Sequence, residues 1–183
     1  RKKDMKIKKV INSKIKRDYF FITGSLKDID SNYFISKINE GVTLGSNLNY
    51  KTNVIGQQTS FDFFCKDKFF IKIILKLVDY LHKNKIVYEQ EYSLCDAWGV
   101  KEGFKDYSKI HHHLPHYISG IIYLNNHPQK LYFPEIKEEV KPQLGGFVLF
   151  SSFLNHYNNE NKTNKYKYAI SFNFEYLTIL QQS

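Results

Sequence analysis

At 183 residues the chain is long enough for one domain with a substantial core and too short to expect two. Its two cysteines, Cys65 and Cys95, form no CxxC pair and exclude a disulfide framework, leaving room for one bridge at most. The formal charge of +9 is concentrated: nine Lys/Arg in residues 1–17 face only Asp4, so that segment carries +8 and the body +1, too little for a broad phosphate-binding face.

In chain order, residues 1–17 read as a basic amino-terminal segment. Within it, residues 6–11 fit an edge strand of the same domain, with Ile7 and Val10 or Ile11 packing inward and lysines guarding the edge. The alternative is an arm that contacts an anionic polymer such as nucleic acid. Residues 18–183 read as a single domain. Asp30 or Ser31 is placed to cap a short helix through Ile38, with Gly41 to stop it. Residues 41–59 are polar and glycine-dotted, as loops that line sites often are. Asp67 predicts the cap of a long helix in which Phe69, Ile73, Ile74, Leu77, Val78 and Leu81 recur at helical spacing, ending at His82-Lys83-Asn84.

After Lys85 short apolar or alternating runs follow one another: 86–92, 94–100, 110–113, 117–124, 131–133, 146–150 and 166–176. Turn signals at Asn125-Asn126-His127-Pro128, Pro142, Gly145-Gly146 and 158–164 separate them. A helical start followed by several short strands, in a chain with 16% aromatic residues, predicts an α+β fold whose second half is a sandwich or jelly roll. No apolar run approaches the roughly 20 residues that span a bilayer, and the amino terminus shows no signal-peptide core, so a reducing, cytoplasmic setting is expected.

His111-His112-His113 carries the chemistry. Strand alternation points His111 and His113 to one face and His112 away. His156 follows on a later segment, and a jelly roll can bring it to the same interior from an opposing sheet. Imidazole suits first-row transition metals, and three facial ligands leave positions open for substrate and oxygen. His116 and His112 are expected at the rim, and His127 lies in a turn.

Several blocks support a family resemblance. His111-His112-His113 followed by Ser119-Gly120-Ile121-Ile122-Tyr123-Leu124, then Pro142, Gly145, Gly146 to Phe150 and His156, then Lys167-Tyr168-Ala169-Ile170-Ser171-Phe172-Asn173, resemble in order and spacing the 2-oxoglutarate- and Fe(II)-dependent oxygenases common in marine phages and bacteria. Trp98 ahead of the histidines fits, and Thr59-Ser60-Phe61 stands where such proteins often have a Thr-x-Trp segment. The resemblance implies a double-stranded β-helix (cupin-like jelly roll) with helices packed on one sheet, in a bacterium or phage-infected cell. It implies Fe(II), 2-oxoglutarate and O2, with hydroxylation of an unactivated carbon and release of succinate and CO2.

Two positions depart from the family pattern. His113 stands where a carboxylate is usual; either His111, His113 and His156 form a three-imidazole site, or His111 and His156 bind with water or a carboxylate such as Asp106 in the gap. Lys167 replaces the arginine that holds the distal carboxylate of 2-oxoglutarate, and Ala169 replaces a serine; lysine pairs as a point charge without the bidentate fork. Lys165 shares its face, and Tyr123 and Ser171 are further candidates for holding the co-substrate. A three-histidine cupin-like metalloprotein that does not use 2-oxoglutarate, and a non-enzymatic jelly-roll binding module, are the alternatives.

Overall fold

The computed structural model describes the backbone of residues 5–14, 18 and 176 and, in full, residues 19–44, 52–84 and 92–175. The elements in chain order are β1 (Met5–Lys14), β2 (Asp18–Leu26), α1 (Ser31–Leu44), β3 (Val54–Ile55), β4 (Gln57–Gln58), α2 (Lys68–Lys83) and β5 (Tyr92–Glu102). They continue with β6 (Tyr107–His111), β7 (Ile118–Tyr123), β8 (Leu131–Phe133), β9 (Glu138–Val140), β10 (Gly146–Ser151), β11 (His156–Asn158) and β12 (Lys167–Tyr176). A seven-stranded antiparallel sheet runs β1-β2-β10-β7-β12-β5-β4, and a five-stranded sheet runs β3-β6-β11-β8-β9.

The central strands β7 and β10 of the seven-stranded sheet are buried on both faces, which is why they read as continuous apolar runs. In β10, Phe147 and Leu149 face the helices while Val148 and Phe150 face the space between the sheets. In β12, Ile170, Phe172 and Phe174 join the helix side, and Ala169 the inter-sheet side. Phe34 and Ile38 of α1 and Phe70, Ile74, Leu77 and Leu81 of α2 complete the outer layer. Phe133 closes the inter-sheet core edge-on against Phe21 and Phe150, at centroid distances of 5.0 and 4.9 Å. The architecture is the expected one: an α+β double-stranded β-helix with amino-terminal helices on one sheet.

Local chemistry explains the helices. Asp30 Oδ1 accepts from the Tyr33 N–H at 3.0 Å, and Asp67 Oδ1 accepts from Phe69 and Phe70 N–H at 3.0 and 2.8 Å, so both aspartates cap. Tyr33 also donates its hydroxyl to Asp67 at 2.6 Å, tying α1 to the start of α2, and that bond pushes the phenol up to about 12.

Several expectations need correction. Gly41 does not stop α1, which continues to Leu44; a Cβ there would lie 2.6 Å from the Phe63 ring, so glycine serves close packing. Phe69 is 57% exposed and Phe70 takes the inward place, because the buried face of α2 runs Phe70, Ile74, Leu77, Leu81. Strand β6 ends at His111 rather than His113. β2 and the two- or three-residue strands β3, β4 and β9 are additional to the expected elements, while the strand-like segment expected at His156 is β11. β1 does stand at one end of the sheet, paired with β2. The inward side chains of 6–11, the flanking basic residues and the strand expected at 86–91 lie outside the described residues. No described helix is long and apolar enough to cross a membrane.

The Ser-Gly of the sequence motif has a packing reason. Gly120, in the middle of β7, lies under Phe172, and a Cβ there would also sit 2.8 Å from Leu149 Cδ2. Both neighbours are buried at 0% and 1% exposure and have nowhere to retreat. Gly120→Ala is therefore expected to destabilise by about 1–3 kcal/mol, seen as a lower denaturant midpoint at unchanged slope. An unmoved midpoint would mean that the layer yields freely.

Candidate metal centre

His111 and His156 are direct register partners across β6 and β11. They come from neighbouring strands of the five-stranded sheet, not from opposing sheets as the sequence reading supposed, because β11 begins at His156 and pairs at once with the end of β6. His113 lies beyond the strand end, where its backbone N–H donates to Ser152 O at 2.8 Å and keeps the chain extended enough to preserve the alternation. The ring centroids of His111–His156, His113–His156 and His111–His113 are 4.4, 4.9 and 5.2 Å apart. One nitrogen from each converges, all within 4.8 Å of one another. His112 points away, exposed, its Nδ1 accepting from Leu114 N–H at 3.2 Å. Asp106 is tied to its own turn, accepting from Gly103 N–H at 2.6 Å, and takes no part in the cluster.

Hydrogen bonds determine which nitrogen each ring presents. His111 Nδ1 lies 2.6 Å from Lys109 O and His156 Nδ1 lies 3.0 Å from Leu154 O; a carbonyl only accepts, so both Nδ1 atoms carry the proton. His113 Nδ1 lies 2.7 Å from Asn173 Oδ1. The Asn173 amide is oriented by Asp96, which can only accept and so takes Nδ2–H at 3.3 Å, while Ser119 donates to Oδ1 at 2.8 Å. His113 Nδ1 must therefore donate as well. All three rings present an unprotonated Nε2 inward, the form that binds a metal and whose orientation such partners fix.

Burial keeps the rings neutral. Desolvation, then the neighbouring His111, lowers His113 to about 4; desolvation, then His113, holds His156 well below the ordinary histidine value; desolvation lowers His111 too. The donor set fits a first-row divalent ion, with three imidazoles and no carboxylate.

A pocket runs inward from the histidines between the two sheets, lined on the way by Trp98, Ser171, Ile121 and Leu131 and at its end by Tyr123 and Lys167. Lys167 is buried, and Lys165 is exposed outside the pocket. The Tyr123 hydroxyl is buried with no hydrogen-bond partner among the described residues, and burial raises its pKa, so it remains a donor. The sequence reading missed Glu102, opposite Lys167 in the β12–β5 register, whose carboxylate forms a buried ion pair with the Lys167 ammonium and accepts from Asn158 Nδ2 at 2.7 Å. With that pair in place the cavity is about 50 Å³.

On the other side of the histidines an open cleft is bounded by Gln58, Phe61, Asp96, Trp98, His112 and Leu114. Thr52, Asn53, Val54 and Gln58 of the predicted loop line it; residues 45–51 lie outside the described residues. Gln58 Nε2 and Oε1 and Trp98 Nε1 are buried without hydrogen-bond partners among the described residues.

No family model and no curated protein matches the chain. Solved structures do. The viral collagen prolyl hydroxylase vCPH from Paramecium Bursaria Chlorella virus-1, in its 2-oxoglutarate complex, superposes with a TM-score of 0.64 at 18% identity over 85% of this chain and 94% of that one. A prolyl hydroxylase from Trichoplax adhaerens gives 0.61 at 16% identity over 86% and 83% of the two chains. HygX from Streptomyces hygroscopicus, solved with nickel and 2-oxoglutarate, gives 0.59 at 14% over 86% and 82%. These sources are viral, animal and bacterial, so the likeness does not single out the marine phage and bacterial group. The chain has the double-stranded β-helix fold found in structures of 2-oxoglutarate-dependent oxygenases.

Proposed function

We propose that the chain is a 2-oxoglutarate-dependent Fe(II) dioxygenase that hydroxylates an unactivated carbon of its substrate with release of succinate and CO2. The observation that carries this reading is one pocket with three inward-facing Nε2 atoms at its mouth and a buried lysine and unpartnered tyrosine hydroxyl at its end. The similar structures solved with 2-oxoglutarate add support from the fold. Iron and the keto acid, once bound, would activate O2, which is the oxidant; the protein supplies ligands, orientation and exclusion of water.

His111, His113 and His156 would hold the ion, and Lys167 and Tyr123 the distal carboxylate, with Ser171 lining the pocket nearer the histidines. The apolar walls at Val100, Ile121 and Leu131 keep the keto acid's middle dry. The open cleft would admit the substrate, which Gln58 and Trp98 can meet with unspent hydrogen-bonding groups.

The test is anaerobic: Fe(II) with 2-oxoglutarate is expected to give the weak metal-to-ligand absorption of a chelated keto acid, and admitting O2 to yield succinate. The absence of both band and succinate would favour the second reading, a three-histidine metalloprotein that does not use 2-oxoglutarate. The Glu102–Lys167 pair is the observation on that side.

A further inference from the structure

A second set of donor atoms gathers where β5 begins and β12 ends. The β12–β5 register slips there: Asn173 lies opposite Asp96 and Phe174 opposite Leu94, leaving Cys95 as the extra residue of a β-bulge. A bulge re-aims its side chains, and here Cys95 and Asp96 both reach the turn that carries His116, while Glu175 reaches it from β12. Cys95 Sγ, a ring nitrogen of His116 and a carboxylate oxygen of Glu175 lie within 4.8 Å of one another.

The protonation pattern identifies the nitrogen. His116 Nε2 lies 3.0 Å from Asp96 Oδ2, which can only accept, so this nitrogen carries the proton. His116 Nδ1 is sealed from solvent and 3.1 Å from Glu175 Oε1, yet the contact lacks hydrogen-bond geometry. Asp96 thus orients His116 through Nε2 and turns Nδ1 toward Glu175, beside a thiol whose hydrogen points to Ser93 O at 3.4 Å. A sulfur, an imidazole nitrogen and a carboxylate oxygen this close together offer a cation three ligand atoms at once. A histidine held by a carboxylate through one nitrogen and presenting the other is the arrangement of metal-ligating histidines.

We propose that Cys95, His116 and Glu175 form a binding site for a borderline-soft divalent cation of the zinc type, separate from the three-histidine centre, with Asp96 orienting His116. A thiolate, an imidazole and a carboxylate suit such an ion and not a hard one such as magnesium or calcium. Burial, then the Glu175 charge, pushes the Cys95 thiol up to about 11, so the cation would take the place of its proton. Asp96 also accepts from Asn173, whose Oδ1 accepts from His113, so a chain of hydrogen bonds joins the two clusters.

The test is titration of the full chain with Co(II), because sulfur ligation gives a near-ultraviolet charge-transfer band that three histidines cannot produce. The band is expected with the unaltered chain, lost in Cys95→Ser and retained in Cys65→Ser. Glu175→Gln, a change at a half-exposed side chain, is expected to weaken cobalt binding by roughly tenfold or more. Zinc should displace the cobalt and bleach the band. Absence of a band, or a band that survives Cys95→Ser, overturns the proposal. Neither outcome depends on 2-oxoglutarate or on the three-histidine centre.

Discussion

His111→Ala and His156→Ala are each expected to abolish the Fe(II)–keto acid absorption. Each removes one of three nitrogens that converge within 4.8 Å, and no carboxylate belongs to the cluster to replace it. A two-imidazole remnant should lose metal affinity by at least roughly a hundredfold, beyond the 10–100-fold that losing a mere orienting partner costs. Equilibrium metal binding measures the loss directly, and persistence of the band in both variants would remove these residues as ligands. Acid gives a second measure. The unfolded-state value for histidine is about 6.5, whereas His113 in the folded protein titrates near 4 because it is desolvated and beside His111. Between those values the unfolded chain binds more protons than the folded one, so metal-free protein is expected to lose stability as pH falls through that window. At His113 the folded site itself remains deprotonated over the same range, and protons compete with metal there only as pH nears 4. Measured proton competition at His113 setting in near 6.5 would contradict the enclosed geometry.

How far the site could be read from sequence depended on the range of each contact. Alternation paired His111 with His113 even though β6 stops at His111, because a single backbone bond to Ser152 keeps the next residues extended. The long strands of the second half were legible because both faces are buried, so that Gly146–Ser151 reads as an apolar run. β2 carried a comparable signal in its Tyr19-Phe20-Phe21-Ile22-Thr23 run, which was passed over, whereas strands of two or three residues are too short for any period. Asn173 and Glu102 were beyond local reading for another reason. Asn173 meets His113 from sixty positions away, and Glu102 meets Lys167 through a register that only the folded sheet defines. A lysine at a strand start looks solvated until its partner across the ladder is known, and this one is buried at 5% exposure.

That partner makes Lys167→Ala the most damaging single change expected for the co-substrate end of the pocket. The substitution leaves the Glu102 carboxylate buried with Asn158 as its remaining side-chain donor, and stranding one partner of a buried pair costs about 3–5 kcal/mol. A fall in the denaturation midpoint alone would therefore not establish a co-substrate role, since a purely structural pair predicts it too. Glu102→Gln separates the two. Glutamine keeps an oxygen for Asn158 Nδ2 but leaves the Lys167 ammonium without a counter-charge, so the empty protein is destabilised while an incoming carboxylate no longer competes with an internal one. If Lys167 anchors 2-oxoglutarate, calorimetry should find affinity raised by roughly tenfold or more in Glu102→Gln and lost in Lys167→Ala. Replacing both residues by methionine should recover much of the stability without recovering binding, because apolar side chains fill the volume but offer no charge. Affinity for 2-oxoglutarate that is the same in all four proteins would assign the pair to the architecture of the pocket and move the choice to the three-histidine reading without 2-oxoglutarate.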